Sequence, residues 1–307
     1  MTFNEFWPKY IERKRLLVKQ TTLAAYNLTW RSHLKEFFGL IEIASIKTST
    51  LQAYVEAGLH AGKSPKALKD QIMLVKNIIK IWTIDNDAQL KVFPIIWPTE
   101  ATCGRKKRSK YTDKELTQLV EYAKADSTHF SKLVALLALT GMRVGELCGL
   151  RYGDFDYQEL TVHTSRTVGR LYIEPGKTDL YVNNPKTASS DRVIPIPKWL
   201  SRYFQKYQEL FHWKDGDYIS AALSDKTPFL EPRTFRVKFY SLCDKAGVPR
   251  REPHALRHTY ASRLLMAGVD IRTTSELLGH SDVSTTLNVY AHSDEDGKKR
   301  AAKKIFI

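Results

Sequence analysis

A chain of 307 residues with 43% apolar and 11% aromatic side chains can bury the cores of two domains and is too rich in large apolar residues to stay disordered. Its 48 Lys and Arg against 33 Asp and Glu give a formal net charge of +15, which favours a polyanionic partner, either nucleic acid or an anionic membrane surface. No run approaches the roughly 18 apolar residues of a spanning helix, and the opening MTFNEFWPKYIERKRL lacks the apolar core of a signal peptide, so a soluble, cytoplasmic protein is expected.

Residues 1–100 read as several helices. LAAYNLTWRSHLKEFFG places apolar residues at helical spacing ahead of a closing Gly39, and KSPKALKDQIMLVKNIIKIWTI repeats the pattern around Leu68, Ile72, Val75 and Ile79. With 14 basic and 9 acidic residues the region is mildly basic, so a purely structural helical domain and one that touches a DNA backbone fit equally well. PIIWPTEATCGRKKRSKYTDKEL then breaks the pattern. Pro94, Pro98 and Gly104 and the run Arg105, Lys106, Lys107, Arg108 and Lys110 precede Thr112, an N-cap with Glu115 at its N3 position. We therefore read a helical domain over 1–100, a basic linker over 101–110 and a second domain over 111–307. A basic run by itself is most simply a solvated tether; its place between two domains makes it a candidate for phosphate contacts.

The second domain opens with the helical stretches KELTQLVEYAKA and FSKLVALLALTG. From Leu160 to Pro197 short β-branched and aromatic runs alternate with Gly, Pro, Asn and Ser, the pattern of a small antiparallel sheet with hairpins, and helical patterns return after Lys198. The fold class is thus mainly α with a small antiparallel β-sheet. Cys103, Cys148 and Cys243 are too far apart for a disulfide framework or a CxxC metal site, and no GxGxxG or GxxxxGK phosphate loop occurs.

Four stretches carry possible chemistry. In TGMRVGEL, Gly141 can close one helix in the left-handed conformation while Arg143 starts the next, where Glu146 can orient it towards a phosphate; a solvated arginine at a helix junction is the plainer reading. In EPHALRHTYASRLLMAG, Pro253 suits the first helical position, which puts His254 and Arg257 on one face of the first turns, where anions are favoured; the alternative is a capped amphipathic helix. His254 and His258 have the spacing of a zinc-binding pair, but Ala255 stands where HExxH requires its glutamate. Lys186, in NNPKTASSDRVIPIP, lies on an apparent hairpin between Tyr181 and Ile194, where a lysine is usually solubilising. In LLGHSDVSTTLNVYAH, His280 follows the glycine that closes a helix, and a short polar segment leads on to Tyr290. Tyr260, inside the HALRH helix, reads as core.

Taken together, the arginine of TGMRVGEL, the lysine of NNPKTASSDRVIPIP, the HxxR of HALRH, the LGH of LLGHSD and the tyrosine of TTLNVYAH resemble the tyrosine recombinase (phage integrase) family, in that family's order. The match covers roughly residues 110 to 293, and the first hundred residues resemble its helical core-binding domain more weakly. The resemblance implies a core-binding domain followed by an α+β catalytic domain, and a site-specific DNA recombinase that integrates, excises or inverts DNA. It implies Tyr290 as nucleophile, Arg143, Arg257 and His280 on the phosphate, Lys186 as general acid and His254 in proton transfer, with no metal, ATP or other cofactor. Expected partners are double-stranded DNA at a core site, further copies of the chain (a dimer per site, a tetramer in the synapse) and an accessory directionality factor. Many integrases of mobile elements carry an arm-binding domain ahead of the core-binding one; here the core-binding pattern begins almost at once. A type IB topoisomerase-like enzyme is the runner-up, since it shares the nucleophile and the arginines, and a catalytically idle DNA-binding regulator is a third reading. The apolar end of the tail DEDGKKRAAKKIFI should be buried, on a neighbouring copy or on the chain's own second domain.

Overall fold

The computed structural model describes residues 1–89, 92–99, 110–174, 176–183, 191–225, 227–280 and 282–290. Cys103, Arg105, Lys106, Lys107, Arg108, Lys186 and the tail beyond Tyr290 lie outside the described residues. The described residues form two compact units, one built on the N-terminal helices, with the segment Arg170–Asp179 grouped with it, and one containing the rest.

The N-terminal unit is helical. Helix α1 (Phe3–Leu17) starts on a capping box in which the Thr2 hydroxyl accepts from the Glu5 amide and the Glu5 carboxylate accepts from the Thr2 amide. It is followed by α2 (Gln20–Thr29), a π-helical turn (Trp30–Leu34), the short α3 (Lys35–Phe38), α4 (Thr48–His60) and α5 (Pro65–Asp85). Ser64 caps α5 and Pro65 opens it, and the periodic Leu68, Ile72, Val75 and Ile79 all turn inward. They meet Phe3, Phe6, Tyr10, Trp30, Leu34 and Phe38, with Trp7 stacked on Trp30 at 4.7 Å. Each fully buried aliphatic side chain here contributes roughly 1.5–3 kcal/mol. Gly39 departs from the sequence reading: its φ of −53° is right-handed, and a Cβ would meet the Asn4 side chain at 2.6 Å. Lack of space, first against the Lys35 carbonyl at 2.4 Å and then against Asn4, and not a left-handed cap, favours glycine there.

In the second unit, α6 (Asp113–Ala125) begins on the expected box, Thr112 accepting from the Glu115 amide at 3.2 Å and donating its own amide to Glu115 at 2.7 Å. Helix α7 (His129–Thr140) is buried on almost every side, as its continuous apolar run LVALLAL requires, and α8 (Val144–Cys148) follows after a sharp corner. Strands β1 (Phe155–Asp156), β2 (Thr161–Thr164) and β5 (Arg192–Pro195) form an antiparallel sheet in the order β1-β2-β5, with Val162 opposite Ile194 and Thr164 opposite Arg192. Strands β3 (Thr167–Glu174) and β4 (Lys177–Asn183) form a separate pair. The strands flanking Lys186, β4 and β5, therefore belong to different sheets, which corrects the expectation of a hairpin there. Helices α9 (Lys198–Leu210), α10 (Pro232–Lys245), α11 (His254–Met266), α12 (Ile271–Leu278) and α13 (Val283–Tyr290) complete the unit. Cys148 and Cys243 are free and buried.

Candidate active site

The corner between α7 and α8 fixes Arg143. Gly141 ends α7 with a φ of 63°, and a Cβ on it would stand 2.3 Å from the Tyr260 ring, so both backbone and space demand glycine. Arg143 then adopts extended backbone as the residue before α8. Its amide donates to Glu146 Oε2 at 2.8 Å and its Nη1 to Glu146 Oε1 at 2.7 Å, so that one carboxylate holds both ends of the residue. The Arg143 side chain remains 40% exposed while that of Glu146 is only 6% exposed.

A second guanidinium reaches the same carboxylate. Arg192, the first residue of β5, donates from Nη2 to Glu146 Oε2 at 3.0 Å and from Nη1 to Oε1 at 3.4 Å, and its Nε donates to the Leu277 carbonyl at 2.7 Å. Burial by itself pushes the Glu146 carboxyl up, but the charge of Arg192, its hydrogen bonds and then Arg143 hold it below the ordinary carboxylate value. Arg257, on α11 and 2% exposed, donates to the Gly141 carbonyl at 2.9 Å and to the Leu278 carbonyl at 2.6 Å. Burial, then the charge of Arg143, pushes it down to about 9, so it stays cationic at neutral pH.

These contacts share one anchor. The consecutive carbonyls of Leu277, Leu278 and Gly279 accept from Arg192, Arg257 and Arg143 respectively, the last at 3.2 Å. A helix end leaves its last carbonyls without intrahelical donors and carries partial negative charge, so the end of α12 is a natural seat for guanidinium groups. Gly279, with a φ of 65°, closes that end in the left-handed conformation as expected.

His280 follows immediately. Its Nδ1 lies 2.8 Å from the hydroxyl of Thr286, a fully buried residue on α13, and burial together with Arg257, Arg143, Arg192 and His254 pushes its pKa down to about 4. Tyr290 is the last residue of α13, so the short polar segment that leads to it is helical from Val283. His254 is the first residue of α11, one position beyond Pro253, and its ring meets that of His258 edge-on at 4.6 Å. Tyr260 packs against Gly141, consistent with a core role. Among the described residues no group of three or more His, Cys, Asp or Glu is placed to hold a metal ion, so the zinc-like spacing of His254 and His258 acquires no third ligand there. Of the linker residues only Lys110 is described, and it is exposed. Arg192 is the site residue that sequence reasoning missed. Its motif DRVIPIP reads as strand, and its contacts with Glu146 and Leu277 are visible only once the chain is folded.

Residues 110–296 match the model of the phage integrase family, and residues 2–57 match that of the phage integrase N-terminal SAM-like domain. The chain belongs to the phage integrase family. Among its integrase-family relatives, a protein named tyrosine recombinase XerC-like from Caldanaerobacter subterraneus subsp. tengcongensis is 29% identical over 314 residues, covering 95% of this chain and 79% of that protein. In fold it is similar to the Tn1549 transposon integrase in complex with transposon right end DNA, with a TM-score of 0.77 at 22% identity over the full length of both chains. It is also similar to a lambda integrase tetramer bound to a Holliday junction, with a TM-score of 0.63 at 18% identity over 93% of this chain and 77% of that one. No helix among the described residues is long and apolar enough to cross a membrane.

Proposed function

We propose that this integrase-family chain, a site-specific DNA recombinase, cleaves and rejoins DNA through Tyr290 at the cluster of Arg143, Arg257 and His280. The Tyr290 phenol attacks a backbone phosphorus, the bond from phosphorus to the 5′ oxygen breaks, and a 3′-phosphotyrosyl ester forms as a 5′-hydroxyl leaves. Attack by a 5′-hydroxyl of the partner duplex reverses the step, so the phosphodiester bond energy is kept and neither ATP nor a metal ion is needed. The observation that carries this reading is the convergence of Arg143, Arg257 and His280 on the end of α12, with Tyr290 on the helix that follows.

Each group has a role suited to its surroundings. Arg143, the accessible guanidinium, takes the non-bridging phosphate oxygens, and Arg257 adds charge from beneath, where a low dielectric strengthens it. With Nδ1 facing Thr286, His280 offers Nε2 to the phosphate, and as a neutral ring it donates a hydrogen bond without titrating near pH 7. His254 assists in removing the phenol proton, since an ordinary tyrosine is almost wholly protonated at neutral pH. Lys186 gives its proton to the departing 5′ oxygen.

The rest of the chain serves assembly on DNA. The helical region over 1–100 binds the core site, and Arg105, Lys106, Lys107, Arg108 and Lys110 contact phosphates between it and the catalytic region over 111–307. The chain works in the cytoplasm as a dimer on each core site and a tetramer in the synapse, with an accessory directionality factor setting the outcome. Its recombinase relatives do not favour the topoisomerase-like or idle-regulator readings. A supercoiled plasmid carrying two copies of the junction sequence that flanks the coding segment separates the three: recombination exchanges the flanks, relaxation without exchange marks a topoisomerase, and neither marks a regulator.

A further inference from the structure

Glu146 presents a difficulty for phosphate binding. It orients Arg143 through two contacts, yet its negative charge opposes a phosphate at the same place and competes for the Arg143 guanidinium. A buried carboxylate that faced Arg143 alone would neutralise the group it is meant to present. Arg192 binds both oxygens of that carboxylate, with its side chain 7% exposed. With it, Arg143, Arg192, Arg257 and Glu146 sum to a charge of +2; without it, the sum falls to +1. The same guanidinium grips the Leu277 carbonyl, immediately before the two carbonyls that hold Arg257 and Arg143.

We infer that Arg192 is a positioning residue for strand cleavage: it offsets the charge of Glu146 and fixes the end of α12, so that Arg143 and Arg257 stay aimed at, and charged towards, the phosphate. The inference rests on the proposed phosphate-binding role of Arg143 and Arg257. Both duties need the planar fork. A lysine at this position has one ammonium on a flexible stem and can satisfy Glu146 or the Leu277 carbonyl, not both in this geometry.

The test uses the full chain and a nicked suicide duplex of the junction sequence, with covalent-complex formation followed in single turnover from pH 5 to 9. Gel shift and thermal melting are recorded alongside. Arg192→Met and Arg192→Lys are expected to bind DNA nearly as the natural chain does and to cleave it about 10- to 100-fold more slowly, the range usual for residues that orient a functional group at one remove. In Arg192→Met the deficit is expected to be smallest at the acid end of the range, because Glu146, then without the charge that most lowers its proton affinity, takes up a proton there and no longer opposes the phosphate. Adding Glu146→Gln to Arg192→Met removes the unbalanced carboxylate and should recover part of the rate. If Arg192→Met does not fold, Arg192→Lys decides. Cleavage at the natural rate by a folded Arg192→Lys overturns the inference, and so does a loss uniform across pH with no recovery in the double variant. Arg143→Ala in the same assay isolates the underlying reading: if it too cleaves normally, the phosphate-binding assignment has failed, not the role of Arg192.

Discussion

Arg257 lies between the carbonyls of Gly141 and Leu278, so its place depends on a glycine corner that no other residue can form. Gly141→Ala would put a methyl group against the Tyr260 ring and force an unfavourable positive φ. We expect a loss of about 1–3 kcal/mol in stability, read as a lower urea midpoint, together with slower cleavage as Arg257 shifts. His280 gives a pH signature. Its pKa in the fold, about 4, lies below the ordinary value near 6.5, so as pH falls the unfolded chain takes up the proton first. The stability tied to the neutral ring is complete above about pH 6.5 and is lost as pH falls towards 4. His280→Gln should show a shallower decline of the urea midpoint across that window, and an identical decline in both chains would argue against a buried neutral ring.

Helices α12 and α13 act as a pair. The first collects the guanidinium groups at its end, and the second carries Tyr290 and, through Thr286, holds the His280 ring. Thr286→Val keeps the shape and removes the hydroxyl. The loss of one hydrogen bond worth about 1 kcal/mol should slow cleavage roughly five- to tenfold without changing DNA affinity, while Thr286→Ser stays near the natural rate. Much of this arrangement was legible in the sequence, because it rests on local rules: glycine at 141 and 279 marks helix ends, and Thr112 with Glu115 marks a start. Residues whose meaning depends on distant partners were not. Arg192 is a strand residue until α12 arrives beside it, and the neighbours of Lys186 looked like a hairpin because strand pairing cannot be read from adjacency when β5 pairs with β2. Ser284, Thr285 and Thr286 left the conformation of the polar segment before Tyr290 open, since short hydroxyl side chains compete for backbone hydrogen bonds. The structure makes them helical, with Asp282 accepting from the Ser284 amide at 2.8 Å and Thr286 buried against His280.

The net charge of +15 fits a chain that acts on DNA, and the proposed division of labour gives it a measurable form. If Arg105, Lys106, Lys107, Arg108 and Lys110 neutralise phosphates, replacing all five with Ser should weaken binding to every sequence alike and flatten the log–log salt dependence by roughly 0.9 for each phosphate left without its cation. An unchanged slope assigns the run to a tether. The central claim is that Tyr290 forms the covalent bond to DNA with the arginines supplying the charge. It is tested most directly by incubating the natural chain and Tyr290→Phe with a nicked suicide duplex of the junction sequence in EDTA, then mapping any adduct by peptide mass spectrometry. We predict an adduct on Tyr290 with the natural chain, and none with Tyr290→Phe although that variant still shifts the duplex. An adduct that persists in Tyr290→Phe, or maps to another residue, would contradict the account.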